Sequence, residues 1–225
     1  MKIHEIFDYD ELDEALSRRG ALRGLGAALL SPTSALAQPG DKATPTDNTA
    51  TSHSADVHIQ NYIINYLKQH GIEGNELAAF LAQSSTETRG FHELEEHHPK
   101  QWFIDHYDIR GNPRKALSIG NTVPGDGERY KGRGFIHLSG KENYQRAEKA
   151  LNIPLVSKPE LAAKPEVAAK TALWYWKTRV QPHVNDWDNV MHVTKQVNPA
   201  GWGLSDRTAN YDHYKKIICS SDNIK

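Results

Sequence analysis

Apolar residues recur at helical spacing through most of the chain beyond Asp56. Val57, Ile63, Ile64, Tyr66 and Leu67 give one broad face between Asp56 and His70, and Gly71 ends it. Asn75 is placed to cap a second helix, in which Leu77, Phe80, Leu81 and Ser84 form a stripe at three-to-four spacing. Glu87 lies ten residues from Leu77, nearly a whole number of turns, and so falls close to that stripe. Ser157-Lys-Pro-Glu160 reads as a capping box with proline at its start, and Pro165 opens a longer helix to about Arg179. On that helix Leu173 and Trp176 face inward, and Trp174, two positions from Trp176, cannot share their face. A further helix runs from Asp188 to Val197, with Val190, Val193 and Val197 aligned. Period-two alternation is scarce, and Phe135-Ile-His-Leu138 is the best strand candidate. The pattern predicts a mainly α-helical domain with few, short strands.

Upstream the pattern changes. Met1 to Leu16 is acidic and polar; then come Ser17-Arg-Arg-Gly-Ala-Leu-Arg23, a small apolar run to Leu30, and Ala35-Leu-Ala37. Paired arginines, a weakly apolar run and an A-x-A site predict a twin-arginine-type signal peptide over residues 1–37, and with it an exported protein, periplasmic, wall-associated or extracellular. The apolar run is short and contains Arg23, so no membrane span is expected there. The alternative is a disordered or amphipathic N-terminal arm. Gln38 to Ser54 holds no large apolar residue and predicts a disordered polar linker over 38–55, leaving 56–225 as the folded domain.

Composition narrows the function classes. A formal net charge of −1 gives no electrostatic case for nucleic acid or an acidic membrane surface. With Cys219 as its one cysteine, the chain forms no intrachain disulfide and rests on its core. The glycine-rich stretch Gly125-Asp-Gly-Glu-Arg-Tyr-Lys-Gly-Arg-Gly134 matches neither a phosphate loop, which needs Gly-Lys-Ser/Thr, nor a dinucleotide fingerprint, which needs a preceding strand. It describes a backbone that turns tightly and comes close to a ligand or another loop.

The most charged stretch, Ser84 to His98 (SSTETRGFHELEEHH), follows the apolar second helix and holds four carboxylates and three imidazoles. A zinc protease motif needs His-Glu-x-x-His, but His92-Glu93 is followed by His97, one residue too late for two imidazoles to share a helix face. No metal and no cofactor are expected. A solvated charge face accounts for Glu93, Glu95 and the histidines. Glu87 stands apart: on the apolar side of its helix, burial should favour its protonated form, whereas Glu96, among charges, should stay ionised. Two carboxylates in opposed environments suit general acid and base work on a glycosidic bond.

The residues around them resemble a known family. Ala79-Phe-Leu-Ala-Gln-Ser-Ser-Thr-Glu-Thr-Arg-Gly-Phe91 is similar to the AFLAQ-x-x-HE[ST]-x-G helix of family-19 glycoside hydrolases, the chitinases and related phage endolysins. Tyr130-Lys-Gly-Arg-Gly-Phe-Ile-His-Leu-Ser-Gly-Lys-Glu-Asn-Tyr144 resembles their Y-x-GRG-x-IQLS/T-x-x-x-NY signature, and Val193 to Asn198 with Gly203 to Arg207 resemble their T-x-x-ING and GL-x-DR segments. The three blocks stand in the family's order from Ala79 to Arg207. The resemblance implies a lysozyme-like, two-lobed helical domain with a substrate cleft, acting as an inverting hydrolase on β-1,4 bonds in polymers containing N-acetylglucosamine. It implies Glu87 as general acid and Glu96 as general base, with carboxyls roughly 6.5–9.5 Å apart to admit a water. Ser139 would help hold that water and Asn143 would contact the sugar; Tyr130, His137 and Asn198 would line the cleft, and Arg207 would join the network around the acid.

Three departures bear on activity: Thr86 replaces the usual histidine, His137 the usual glutamine, and Val-Asn-Pro-Ala the usual Ile-Asn-Gly segment. Trp102, Trp187 and Trp202 are sugar-stacking candidates, Trp102 and Trp202 lying beside the cleft motifs. The expected partner is a polysaccharide, peptidoglycan in preference to chitin because the compact domain carries no disulfides or separate chitin-binding module, and the expected state is a monomer. Two rivals remain at this level: a weakened or inactive wall-polysaccharide-binding protein on the same scaffold, and a metal-dependent wall hydrolase using the histidines.

Overall fold

The chain divides into two compact units, Met1–Ile59 and Gln60–Lys225, and the structure, a computed structural model, describes residues 48–222. All the candidate site residues belong to the second unit. The expected leader and the first part of the expected linker, up to residue 47, lie outside the described residues. Helix α1 (Asn48–Gln69) begins earlier than the expected Asp56, so residues 48–55 are helical rather than linker. That stretch holds neither proline nor glycine, and once an apolar turn has formed, adding polar turns needs no nucleation. Gly71, in the left-handed region, follows its end as expected.

Helix α2 (Gly74–Glu87) is buried on every side from Leu77 to Ser85, not along one stripe. Ala78, Ala79 and Ala82 keep it narrow on the faces that the stripe leaves, so neighbours approach from all directions. Its N-terminus carries no side-chain cap. Asn75 instead donates to Asp188 Oδ2 at 3.0 Å, and Tyr211 donates to Asp188 Oδ1 at 2.9 Å, so a tertiary tie replaces the expected cap.

The sequence pattern missed the helix that packs most extensively along α2, the C-terminal one, which takes the last label, α9 (Leu204–Asp222). Its inward row is Arg207, Tyr211, Tyr214 and Ile218, a guanidinium and two phenols with one aliphatic side chain, so the spacing is helical but the row is not apolar. Helix α8 (Val190–Val197), capped by Asn189 accepting from the His192 N–H at 3.0 Å, packs against both. Helix α7 (Pro165–Tyr175) continues through a π turn (Trp176–Val180) and a short 3-10 turn (Gln181–His183). Trp176 is buried edge-on to Phe80 at 4.9 Å, with Trp187 stacked on it at 5.7 Å. The Trp176 indole and Gln181 both donate to Glu76, whose carboxyl burial nonetheless pushes above its ordinary pKa.

A second cluster gathers Tyr130, Leu138, Tyr144, Ala147, Leu155 and Ala162, with Trp174 and Tyr175 packed against it. Helix α6 (Lys141–Leu151) supplies Tyr144 and Ala147 to it, and before it in the chain α3 (Lys100–Tyr107) packs against α4 (Pro113–Ser118) and α5 (Asp126–Arg129). The expected capping box at Ser157–Glu160 is a 3-10 turn, Pro159–Ala163, with Lys158 at its cap and Ser157 bonded back to the Pro154 carbonyl. The expected strand at Phe135–Leu138 is also absent. Gly134 and His137 take positive φ, and Arg133 and Leu138 pair across the resulting turn, so these apolar residues enter the core without a pleat.

The turn after α3 is anchored by one carboxylate. Asp108, 1% exposed, accepts from Arg110 at 2.7 and 3.2 Å and from the N–H groups of Gly125 and Gly127 at 2.7 and 3.4 Å. Arg110's hydrogen bonds, helped by the backbone donors, hold its carboxyl well below the usual range against the opposing effect of burial. A depressed folded-state pKa contributes stability that is complete above the unfolded value, about pH 4, and is lost as pH falls below it. Asp108→Asn points an amide at donors and is expected to cost about 2 kcal/mol at neutral pH. In denaturant unfolding that deficit should shrink steadily below about pH 4, where the wild-type loses the same contribution.

Candidate active site

Glu87 is the last residue of α2 and its side chain is 19% exposed. A carboxylate there faces the negative end of the helix dipole and needs a cation. Arg207 on α9, 2% exposed, supplies it: Nη2 donates to Glu87 Oε1 at 2.5 Å, Nη1 to Gln83 Oε1, and Nε to the Trp202 carbonyl at 3.0 Å. Gln83, one turn before Glu87, passes the network to Thr194 on α8 at 3.2 Å. Arg207, which the family resemblance put in the network around the acid, thus stands on the side of Glu87 where apolar surroundings were expected, because the row that meets α2 from α9 is polar at that level. Oε2 of Glu87 takes no hydrogen bond from any described residue. Thr86, where the family pattern has histidine, donates to the Ala82 carbonyl and accepts from Asn210, both at 3.0 Å.

Beyond Glu87 the chain reverses through three consecutive residues with positive φ, Arg89, Gly90 and Phe91. Phe91 is buried in this rarely adopted conformation, and its N–H is held by the Thr88 hydroxyl at 2.9 Å. The reversal brings residues 94–96 antiparallel to 132–134: Gly134 N–H donates to the Leu94 carbonyl at 2.8 Å and Glu96 N–H to the Gly132 carbonyl at 2.9 Å. The Glu96 carboxylate then receives one donor on each oxygen, Tyr107 O–H on Oε1 at 3.2 Å and Gly132 N–H on Oε2 at 2.9 Å, while His98 Nε2 stands 4.0 Å from Oε1. A side chain on Gly132 has no room: its Cβ would lie 2.9 Å from His137 Cβ, 3.0 Å from Glu96 Oε2 and 3.1 Å from Ser139 Oγ. The close approach that the glycine-rich stretch implied is made to a carboxylate.

Tyr107 bonds Glu96 and feels the charge of Glu87. Burial raises its pKa, and the charge and hydrogen bond of Glu96 and then the charge of Glu87 raise it further, so the phenol remains a donor. Below Glu96, Arg133 donates to Glu95 at 2.9 Å and to the Tyr144 hydroxyl at 3.0 Å, and Lys131 also pairs with Glu95. Burial alone would raise the Glu95 pKa, but these two cations lower it.

Among the other predicted residues, His137 and Ser139 stand against Gly132 beside Glu96. Ser139 donates to the His137 carbonyl at 2.7 Å, His137 Nε2 lies 3.2 Å from the Glu93 carbonyl, and Asn143 donates to the Ser139 carbonyl at 2.9 Å. Asn198 closes α8 and accepts from the Ala200 N–H at 3.2 Å in the loop that leads to Trp202. Two predicted sugar contacts fail to take that place. Tyr130, 3% exposed, belongs to the second core cluster, and its hydroxyl donates to the Val156 carbonyl at 3.2 Å. Trp102 lies between His98 and His106, near-parallel rings with centroids 3.9 and 4.1 Å away. Two imidazoles that close cannot share one face of the indole without overlapping, so both its faces are covered. Reading the sequence missed Tyr107 and Gln83. For Gln83 a signal existed, its position four residues before Glu87 on one helix face; for Tyr107 there was none, since its bond to Glu96 crosses a loop. Among the described residues no group of three or more His, Cys, Asp or Glu side chains is placed to hold a metal ion.

A family model described as chitinase class I, of glycoside hydrolase family 19, matches residues 65–219. The chain belongs to that family. It is 30% identical over 155 residues to a glycosyl hydrolase family 19 domain-containing protein of Haemophilus influenzae, a match covering 60% of this chain and 76% of that protein. It is 34% identical over 137 residues to a Solanum tuberosum endochitinase, covering 60% of this chain but only 40% of the plant protein's length. Among solved structures it is similar to a bacterial family 19 chitinase with TM-score 0.50 and 25% identity, covering 75% of this chain and 85% of the other. The mainly helical, lysozyme-like fold and membership of a glycoside hydrolase family follow, and all the residues placed at the site lie within the matched region.

Gly132→Ala is expected to push Glu96 and Ser139 apart and to lower glycan hydrolysis at least about tenfold, while leaving the helical circular dichroism unchanged. Measuring new reducing ends beside the melting curve separates a displaced carboxylate from a lost fold.

Proposed function

We propose that this chain hydrolyses β-1,4 bonds of an N-acetylglucosamine-containing polymer by single displacement, with Glu87 as general acid and Glu96 as general base. The observation that carries the reading is the difference in how the two carboxylates are held. Glu87 has Oε1 fixed by Arg207 and Oε2 open, which leaves one oriented oxygen to deliver a proton to the departing glycosidic oxygen. Glu96 is held through both oxygens by a neutral phenol and a backbone N–H, which orients it with lone pairs to spare for a water. Ser139, whose Oγ lies against the same Gly132, would help hold that water. Proton transfer to the leaving oxygen and attack by the water on the opposite sugar face then invert the anomeric centre.

The endochitinases among the relatives support a chitin-like polymer. Within that class we favour peptidoglycan, and Arg18-Arg19 with Ala35-Leu-Ala37 supports export to the wall. The chain as a monomer supplies both carboxylates itself.

The test is reducing-end release from purified peptidoglycan and from a chitin oligosaccharide. Glu87→Gln and Glu96→Gln should each abolish turnover with the melting temperature retained, and the wild-type pH profile should be bell-shaped. Release from peptidoglycan alone makes the protein a wall lysin, and release from chitin a chitinase. Substantial activity in Glu87→Gln would overturn the acid assignment. Binding without release from either glycan would favour the inactive scaffold.

A further inference from the structure

We infer that Trp202 is a sugar-stacking platform beside the acid, forming a subsite for one N-acetylhexosamine ring of the polymer. The inference rests on the reading of the site as glycan-cleaving and adds a specificity-determining residue to it.

Four of the five tryptophans are used by the fold: Trp176 is buried, Trp187 stacks on it, Trp174 packs against the second cluster, and Trp102 is enclosed by two imidazoles. Trp202 is 75% exposed and no described ring stacks on it. An indole left in water contributes little to folding, so its place in the chain calls for another account.

Its position is set by the acid's own network. The Trp202 carbonyl and the Glu87 carboxylate accept from different nitrogens of the Arg207 guanidinium, a rigid planar fork. The next residue, Gly203, lies against Thr86, the neighbour of Glu87: a Cβ added to it would stand 3.3 Å from Thr86 Cγ2. The loop is therefore seated on the last turn of α2. It is also internally tied. Asn198 accepts from the N–H groups of Ala200 and Gly201 at 3.2 and 2.9 Å, and the Gly203 carbonyl accepts from Arg207 N–H at 2.9 Å. Gly201 and Gly203 take φ of 74° and 73°, a left-handed conformation on either side of the indole that no other residue type adopts as cheaply. A ring presented on a tied loop loses little entropy when it engages a ligand.

The chemistry of the ring selects the ligand. An indole offers a flat apolar face to the C–H groups of a pyranose and an N–H donor at its edge for a hydroxyl or an acetamido carbonyl. Standing beside the residue that protonates the leaving oxygen, it would bind a sugar of the same strand that is being cut.

The experiment uses the full chain carrying Glu87→Gln, which binds without turnover, titrated with the hexamer of N-acetylglucosamine. Adding Trp202→Ala should weaken binding about tenfold, and Trp202→Phe should restore most of it. In the active background Trp202→Ala should raise KM by a similar factor, more than it lowers kcat, with the melting temperature unchanged. An unchanged Kd and KM in Trp202→Ala would overturn the inference and leave the catalytic reading standing. So would a loss confined to kcat and thermal stability, which would mark a structural residue. If the Glu87→Gln parent bound neither the hexamer nor purified peptidoglycan, the glycan reading would fall and the subsite with it.

Discussion

A guanidinium buried where two helices cross must spend its donors locally, and Arg207 spends them on α2, on the acid at its end and on the loop before α9. A charge taken out of water is tolerated only when it is paired and its remaining hydrogens are bonded. Gln83 answers to Arg207 on one side and Thr194 on the other, so α2, α8 and α9 share one polar seam. The same seam resolves an electrostatic difficulty: Glu87 sits at the helix end where the dipole disfavours an anion. The position of the acid and the packing of the helices are thus one constraint, not two.

Glu96 is supported by other means. No lysine or arginine among the described residues pairs with it; the backbone pairing of residues 94–96 with 132–134 sets its place, and the missing side chain at Gly132 lets it close against the main chain. Tyr107, whose carbonyl is held by Asn121 and whose neighbour Asp108 anchors the following turn, completes the contact from the other side. The two carboxylates are thus held by different means, Glu87 by a cation and Glu96 by neutral donors.

Much of this was legible in the residue order, and the failures share a cause. The apolar rows of α2, α7 and α8 were readable because packing demanded apolar side chains at helical spacing. The row on α9 was not, because its inward positions are Arg207, Tyr211 and Tyr214, which read as surface until their partners are known. Phe135 to Leu138 looked like a strand because apolar composition alone does not separate a pleat from a buried turn, and the positive φ of His137 leaves no compositional trace. Tyr130 lies inside a site motif yet serves the core, since a motif marks a segment and not the direction of each side chain.

The sequence by itself determined the helical class and the family through three ordered motifs, both of which depend on residue type and spacing along the chain. Only the tertiary structure decided what each carboxylate touches: a guanidinium from α9, 120 residues away, for Glu87, and a glycine N–H 36 residues away for Glu96. Spacing governs contacts within one helix, but the environment of a charged group is set by whatever the fold brings to it from elsewhere.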